Sequence, residues 1–483
     1  MVRVGENNDF DYRAAISKSY RQLNVDSEVD GPPADTQRAG IRCFNVFPHF
    51  KMLRKMTIPS RHGFRFMVKN LFSGARHVVF VAFLLLCSTS SWAFYTTSSQ
   101  SFDISLGGFI GAGGSVAKYP GNGFYAENSD ASWFGDFRLL AQASAWENLT
   151  ANINILQNVR STPTFMFSGS AALPRDVQRS GLFYRQQHDS PNTQVAMVLD
   201  AAYVKYGNQN NELIIGRQPI TTTVTFFFTP NDFFAPFSPN TFFRVYKPGV
   251  DALRYERMLK ALSQLSVIGV LGYETSPDAE SGWSNAPDWR RSTVMSRLTY
   301  SAANFEWGGI FGVVRESMVA GFSLQGELSD WLGVRAEGHY ADSWADGEDS
   351  GLMATISLEH RYPSSLTLRL EYMYNGFGSG SIDGALVDRM PGRSGPGYLG
   401  RNYSAFNLSY EITPLLFGEL LFLRNWSDDS YTMSFNVVYS VSDESELAFT
   451  ATLPGGSEPD SGQIHSELGS LPIRFALEYR YYF

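Results

Sequence analysis

The sequence predicts an all-β protein: a transmembrane antiparallel up-and-down β-barrel of about 18 strands (16–18), with long extracellular loops and short periplasmic turns. Three observations lead to this prediction. Aromatic residues, mostly Tyr and Phe, make up 14% of the chain, and they suit strands and membrane interfaces. Segments of about ten residues with alternating polarity recur from residue 94 onward. The last of these segments ends on Phe483, the C-terminal residue.

The final segment, Leu471–Phe483, shows the alternation most clearly. One parity is entirely apolar or aromatic: Ile473, Phe475, Leu477, Tyr479, Tyr481 and Phe483. The other parity carries the charges: Arg474, Glu478 and Arg480. An apolar face of this length, with aromatic residues gathered at its end, fits a strand that faces lipid and finishes in the interfacial girdle.

Four more segments repeat the pattern, and the connections between segments alternate between short and long. The segments are Val294–Tyr300, Leu332–Ala341, Leu366–Asn375 and Met433–Val441. The long connections include Gly114–Ser132, Gln157–Asn192, Pro219–Gly249, Ser276–Arg290 and Gly376–Arg401. A sheet in hydrocarbon must close on itself because every backbone N–H and C=O needs a partner there. A soluble β-sandwich or propeller is the alternative, but it would not need an apolar parity in strand after strand.

The N-terminal region contains a predicted secretory signal peptide at residues 67–93. Its apolar core is Val78–Cys87, basic residues precede it, and Ser91 and Ala93 supply the small residues before the cut. A membrane anchor is the alternative. Residues 1–66 are polar and lack any period, so we expect a disordered, non-native extension, with translation starting at Met67. A cytosolic tail and an unusually long signal are the alternatives.

The segment after the cut at residue 93 differs from the segment before it in cysteine content and charge. Cys43 and Cys87 both precede the cut, so the exported part has no disulfide and no thiolate chemistry. Residues 94–483 carry 26 basic and 40 acidic residues, which argues against nucleic-acid binding. We find no catalytic or metal-binding motif, so the sequence predicts neither an enzyme nor a cofactor.

The inward parity of the strands supplies candidate pore-lining residues, because a charge facing mid-bilayer is costly. The candidates are Arg297, Arg335, Glu337, Arg369, Glu371, Arg474, Glu478 and Arg480. Two interpretations stay open at this point. These charges can form an ion-paired lattice that stiffens the wall, or the arginines can form a ladder selective for anions.

The stretch Pro219–Arg254 is rich in Phe and Pro and has few charges, which is unusual for an extracellular loop. A loop so apolar should not extend into water, so we expect residues 219–250 to fold into the lumen or against the wall and narrow the pore. The candidate polar groups at this constriction are Arg217, Asp232, Arg244, Lys247, Asp251 and Arg254. A structural plug and an inter-subunit latch are the alternatives.

Two motifs resemble known outer-membrane families. The terminal strand resembles the C-terminal signature of bacterial outer-membrane proteins, which ends in Phe and is recognised by the barrel-assembly machinery. The runs GRQ (Gly216–Gln218), TPNDFFAPFSP and KPGVDALR are similar to porin-like families, including the alginate-export type. The resemblance implies a Gram-negative, porin-like outer-membrane channel, and it transfers no substrate-binding residue.

The sequence therefore predicts passive diffusion of small hydrophilic solutes or ions through a channel in the bacterial outer membrane. The expected partners are outer-membrane lipid and lipopolysaccharide, the barrel-assembly machinery and small solutes, with a homo-oligomer left open. The alternative function is a non-conducting barrel: a structural or adhesive surface protein, or the sheath of an electron-transfer complex.

Overall fold

The computed structural model describes residues 95–99, 102–120, 124–125, 127–146, 148–161, 176–190, 193–260, 262–345, 350–382, 398–460 and 463–483. The extension predicted at residues 1–66 and the signal peptide predicted at 67–93 lie outside the described residues. In the described part of the chain, no helix is both long enough and apolar enough to cross a membrane.

Twenty strands lie within the described residues, together with one short 3₁₀ helix at Gly181–Phe183. The strands are β1 (Tyr95–Ser99), β2 (Phe102–Lys118), β3 (Ser129–Ala145), β4 (Leu149–Ser161), β5 (Tyr184–Ser190), β6 (Thr193–Gly207), β7 (Asn211–Gln218), β8 (Val250–Lys260), β9 (Ser263–Thr275), β10 (Trp283–Ala302), β11 (Phe305–Val314), β12 (Ser317–Ser329), β13 (Leu332–Ser343), β14 (Gly351–Arg361), β15 (Thr367–Asn375), β16 (Asn402–Thr413), β17 (Leu416–Asn425), β18 (Ser430–Ser442), β19 (Ser445–Gly455) and β20 (Ile473–Tyr482).

Eighteen of the described strands form a closed antiparallel barrel, which confirms the predicted fold. These are β2, β3, β4 and β6 to β20, each paired with its neighbours along the chain. The terminal strand β20 closes the ring by pairing with β2, in a register that sets Arg480 opposite Gly111. This last ladder leaves the wall without an open edge, as a sheet in hydrocarbon requires.

The two parities of the wall face opposite sides, as the sequence predicts. On β15, the outward residues Leu370, Tyr372 and Tyr374 are exposed, whereas the inward residues Glu371 and Met373 are buried. The same alternation holds in the other predicted segments, and the terminal strand exposes Leu477 outward. The apolar parity therefore forms the outer surface that faces lipid.

The predicted short turns all lie at the end of the barrel that holds Phe483, and the long connections lie at the other end. Two loops are shorter than predicted: β2 runs on to Lys118 and β3 begins at Ser129, while β10 begins at Trp283. In these strands the alternation of apolar and polar residues ends before the backbone pairing ends. The reason is that a part of the sheet that extends beyond the hydrocarbon of the membrane needs no apolar face. The predicted connection Pro219–Gly249 agrees with the structure, since β7 ends at Gln218 and β8 begins at Val250. The last five residues of the aromatic-rich stretch Pro219–Arg254 therefore belong to β8.

Strand β5 occupies a position in the wall that β7 leaves vacant. β6 pairs with β4 along one edge, and on its other edge it pairs first with β5 and then with the shorter β7. β7 ends near Gly216, whose φ of 120° disfavours a side chain. A Cβ there would lie 2.4 Å from the carbonyl oxygen of Ala202. The chain can therefore turn inward at this point while β5 continues the wall above it.

The outward position of Leu253, near the middle of β8, gives a test of the lipid-facing surface. We expect Leu253→Arg to destabilise the barrel by about 2–4 kcal/mol, the usual cost of an arginine at mid-bilayer. The control is Leu262→Arg in the turn between β8 and β9, where the expected cost is about 0–1 kcal/mol. Both leucines are exposed, at 47% and 61%. Denaturant unfolding in lipid vesicles measures the difference, and equal costs would contradict the assignment.

Candidate functional site

The candidate site is the connection between β7 and β8, residues 219–249, which we call the lumen loop. Its apolar side chains pack against the inner face of the wall in two clusters. Ile220, Phe233 and Phe234 join a cluster built from inward residues of β8 to β13. Phe227 and Phe228 join a second cluster built from β14 to β17. These contacts place the lumen loop against the inner face of the wall.

Glu337 of β13 binds the first half of the lumen loop. Its carboxylate is buried and accepts hydrogen bonds from the Thr223 hydroxyl at 2.7 and 2.8 Å. It also accepts from the backbone N–H groups of Val224, Thr225 and Asn231, the last at 3.1 Å. A single side chain thus satisfies several backbone donors that have no strand partner.

Glu371 of β15 binds the backbone of the next turn of the lumen loop. Its carboxylate accepts hydrogen bonds from the backbone N–H of Phe226 at 2.6 Å and from those of Phe227 and Phe228, both at 2.9 Å. The Ser357 hydroxyl on β14 also donates to it. Glu371 is 3% exposed, so these charge-assisted bonds are shielded from water.

Arginines of the wall hold the aromatic side chains of the same segment. The guanidinium carbons of Arg335 and Arg369 lie 4.3 and 4.6 Å from the ring centre of Phe226. Arg335 also donates to the Val224 carbonyl at 2.9 Å. Within the loop, Arg244 donates to the carbonyl of Phe226 and, at 2.6 Å, to that of Thr241. Cation–π contacts of this kind add to the apolar packing.

The second half of the lumen loop reaches the strands where the barrel closes. Tyr246 stacks on Phe109 of β2 with ring centres 5.4 Å apart. The guanidinium carbon of Arg480 on β20 lies 3.9 Å from the ring centre of Phe243, and that of Arg138 on β3 lies 4.6 Å from that of Tyr246. The loop thus contacts inner-wall strands from β8 to β17 and also the β20, β2 and β3 side.

Asp200 fixes the point where the lumen loop returns to the wall. It is the extra residue of a bulge in β6, between the Ile155–Leu199 and Asn154–Ala201 pairs. Its carboxylate lies 2.6 Å from the guanidinium of Arg138 and 3.0 Å from that of Arg179. Arg179 also donates to the carbonyl of Gly249, the last residue of the loop, at 3.0 Å. The bulge directs Asp200 into this network.

Lys247 and Asp232 form an ion pair inside the lumen loop, with Nζ and Oδ1 2.5 Å apart. Burial raises the pKa of Asp232, against the opposing effect of Lys247. Burial likewise lowers the pKa of Lys247. Desolvation therefore offsets much of the attraction, so the pair fixes the geometry of the loop more than it stabilises the loop.

The structure places Arg217, Asp251 and Arg254 outside the lumen loop, which corrects the sequence-based expectation that Asp251 and Arg254 lie within it. Arg217 ends β7, and its Nε lies 2.8 Å from Asp251 Oδ1 on β8. Both residues share the outward parity of Leu253, and Ser180 covers them through hydrogen bonds to each. Arg254 faces inward and lies 3.5 Å from Glu256.

The other sequence-predicted lining residues lie on the inward parity of the wall, and most of them form ion pairs. The charged contacts are Arg297–Glu306 at 3.7 Å, Arg369–Glu359 at 2.5 Å, Arg480–Glu446 at 2.8 Å and Arg480–Glu478 at 2.7 Å. Arg474 is exposed on the same parity. This arrangement favours the ion-paired lattice over a bare arginine ladder.

Sequence reasoning missed Arg138, Arg179, Asp200 and Asn231. The side-chain amide of Asn231 donates to the Phe322 carbonyl at 2.9 Å, inside the Glu337 site. The motif TPNDFF contains Asn231, so the resemblance drew attention to its segment but not to the residue. Asp200 carried no signal, because a bulge cannot be read from alternation.

No protein-family model matches the chain, and no curated protein sequence matches it. Solved structures do match. OccK9 (OpdG) of Pseudomonas aeruginosa superposes with a TM-score of 0.53 at 13% identity, covering 79% of this chain and 98% of that chain. OccK2 (OpdF) of the same organism gives 0.50 at 11% identity, covering 79% and 97%. At such identities the likeness concerns the fold alone.

The class of protein that this fold defines is the porin-type β-barrel, in which 18 strands close in one ring. The chain shares that architecture with the Occ structures. In this chain, Glu337 and Glu371 hold the lumen loop through hydrogen bonds to its backbone.

Replacing the carboxylate of Glu371 gives a test of how the lumen loop is held. In Glu371→Gln, an amide nitrogen faces backbone N–H donors, so we expect residues 226–228 to lose about 1.5–3 kcal/mol of protection, the worth of bonds to a charged group. Hydrogen exchange with mass spectrometry measures it. The control is Glu306→Gln, whose carboxylate lies beside Arg297 and bonds Gln325 instead of the loop. Similar protection in both variants would contradict the assignment.

Proposed function

We propose that the protein is an outer-membrane channel for passive diffusion of small hydrophilic solutes or ions, narrowed by the lumen loop. The observation that carries the proposal is the position of that loop. It leaves the wall after β7, contacts inward residues from β8 to β17, and reaches β2 and β20 on the other side. A segment held in this way sets the cross-section of the lumen.

The contacts that hold the loop support a fixed constriction. Glu337 and Glu371 bind its backbone, and Arg335 and Arg369 bind Phe226 between them. A loop tied by charge-assisted bonds at several points has few alternative positions. The lumen at this level is therefore bounded by a defined surface, which is what a size-selective pore requires.

Charged side chains around the constriction support passage of hydrophilic solutes. Toward the periplasmic end, a recess of about 660 Å³ is lined by charges of both signs, including Arg335, Glu359, Arg361 and Glu306. Arg474 faces inward on β20 toward the extracellular end, and Glu478 faces inward near the middle of the same strand. We propose Arg297, Arg335, Arg369, Arg474, Glu478 and Arg480 as pore-lining residues, and Asp232, Arg244 and Lys247 as constriction-loop residues.

The same proposal assigns the environment of the protein. The segment at residues 67–93 would direct export, and the barrel-assembly machinery would insert the barrel into the bacterial outer membrane. There the barrel would contact lipid and lipopolysaccharide, as a monomer or homo-oligomer. The chemistry is transport and not catalysis. The observation that favours the second function, a non-conducting structural or adhesive barrel or an electron-transfer sheath, is the burial of residues 227–235 of the lumen loop.

Conductance across planar bilayers separates the two functions. We expect the refolded barrel to conduct, and deletion of residues 226–243 to raise single-channel conductance several-fold because the constriction is removed. Heat-modified electrophoretic mobility checks that the deletion variant folds. The matched control is Trp289→Ala, because Trp289 is 80% exposed on β10 and lies outside the lumen loop.

Two outcomes would contradict the proposal. A trace closed at all voltages in both the full barrel and the deletion variant would favour the non-conducting function. Equal conductance in the two would show that the lumen loop does not set the width of the pore.

A further inference from the structure

The chain just before β5 lies beside the two ends of the lumen loop. Its residues 176–183, which we call the outer clamp, contact the place where β7 and β8 separate. The last pair that joins those strands is Gln218 with Val250, and no described pairing joins them beyond it. The wall continues on both sides, since β6 pairs with β5 up to Thr193 and β9 pairs with β10 up to Thr275. The outer clamp therefore covers a place where the described wall has no ladder.

Ser180 of the outer clamp binds both strands at this place. Its carbonyl accepts a hydrogen bond from Arg217 Nη2 at 2.8 Å, and its backbone N–H donates to Asp251 Oδ2 at 2.8 Å. Both partners lie on the outward parity, one at the end of β7 and one at the start of β8. The guanidinium carbon of Arg217 also lies 5.5 Å from the ring centre of Phe183. One residue of the clamp thus joins the points where the lumen loop leaves the wall and returns to it.

Arg179 of the outer clamp crosses the wall at the same place. The next residue contacts outward side chains, whereas the Arg179 guanidinium reaches groups that continue to the inner face. Its Nη1 lies 3.0 Å from the carbonyl oxygen of Gly249 and from Asp200 Oδ1, and 3.1 Å from the carbonyl oxygen of Asp200. Asp200 in turn pairs with Arg138, whose guanidinium lies over Tyr246 of the lumen loop. Arg179 is 2% exposed, so these groups enclose it.

A second contact of the outer clamp leads to the middle of the lumen loop. Arg315, in the turn between β11 and β12, donates from Nε to Gln178 Oε1 at 3.3 Å and from Nη2 to the carbonyl of Phe233 at 3.3 Å. The Gln178 amide also donates to the carbonyl of Tyr273 on β9 at 3.0 Å. The clamp is therefore linked to the lumen loop at its middle as well as at both of its ends.

The charges around Arg179 balance one another. Asp176 of the outer clamp accepts from Arg179 Nε at 2.6 Å and from its Nη2 at 2.7 Å, while Asp200 pairs with both Arg179 and Arg138. Two guanidinium groups thus face two carboxylates in a site that is almost closed to water. Removing one charge from such a network leaves a buried partner without compensation. A lysine cannot replace the planar fork, because an ammonium group is a compact point charge.

We propose that the outer clamp positions the lumen loop from outside the wall, with Arg179 as the positioning residue that fixes the return of the loop at Gly249. The width of the constriction is then set in part by an element on the outer side of the barrel. The effect on conductance rests on the proposed channel function, whereas the position of the loop can be measured in a barrel that does not conduct.

Hydrogen exchange of the refolded full barrel, followed by mass spectrometry, measures the return of the loop. The Gly249 N–H donates to the Asp200 carbonyl at 3.0 Å, so its exchange reports on that point directly. In Arg179→Gln we expect this amide, resolved by overlapping peptides, to lose roughly 10- to 100-fold of its protection, the effect of losing a hydrogen bond to a charged group. Amides 226–228 should keep their protection, because Glu371 holds them independently.

Two further variants decide the matter if Arg179→Gln folds poorly. Arg179→Lys keeps the charge without the fork, so we expect a smaller loss of protection at Gly249. The double variant Arg179→Gln, Asp176→Asn removes one charge of each sign and leaves Arg138 paired with Asp200. It should fold, and the loss at Gly249 should persist because the bond from Arg179 is still missing.

The matched control is Arg185→Gln. Arg185 is exposed on β5, two residues after the outer clamp, and its variant should exchange as the wild type does. Wild-type protection of Gly249 in the double variant would overturn the role of Arg179. An equal loss at amides 226–228 would do the same, because it would show a general loss of stability, and so would a loss at Gly249 in Arg185→Gln.

Single-channel conductance of the same variants separates this inference from the channel itself. If both hold, conductance rises in Arg179→Gln and in the double variant, and it stays at the wild-type value in Arg185→Gln. A barrel that is silent in every variant, but whose Gly249 exchange follows Arg179, would reject the channel and retain the clamp. A conducting barrel with unchanged Gly249 exchange would reject the clamp and retain the channel.

Discussion

The position of the lumen loop depends on two wall carboxylates that accept the hydrogen bonds of its backbone. A chain that leaves a strand and enters the lumen loses its ladder partners, and each buried N–H then needs an acceptor. Glu337 and Glu371 provide those acceptors at adjacent turns of the loop. Their charge makes the bonds strong, and their burial makes an orphaned donor costly. The aromatic packing and the cation–π contacts of the loop depend on the backbone path that these two residues define.

The same constraint explains how much of the molecule could be predicted. The barrel follows from the sequence because lipid on one side and the lumen on the other impose a period of two on every strand. The packing of the lumen loop against the inner face of the wall follows from its apolar composition. Its partners do not, because Glu371 and Phe226 are 145 residues apart and no local pattern links them. The role of Asp200 depends on a bulge, which shifts a side chain without leaving a mark in the alternation.

The inward charges show a related limit. Parity correctly assigns Glu337 and Glu371 to the inner face, but it cannot distinguish a residue that faces water from one that binds protein. Arg369 pairs with Glu359 and lies over Phe226, so its charge is already engaged. Arg217 and Asp251 lie on the outer parity, where the segment at Ser180 covers them, because β7 ends early and other residues complete the wall.

The contacts of the lumen loop with Phe109 and Arg480 have a consequence for assembly. These two residues belong to β2 and β20, the first and last strands of the ring, which meet at the seam. Rings of the loop lie against both strands: Tyr246 and Phe243 against Phe109, and Phe243 against Arg480. Because the loop bridges the seam from inside, docking the loop and joining the chain ends each make the other more favourable. The lumen loop therefore stabilises the closure of the barrel from inside, at the ladder that joins its first and last strands.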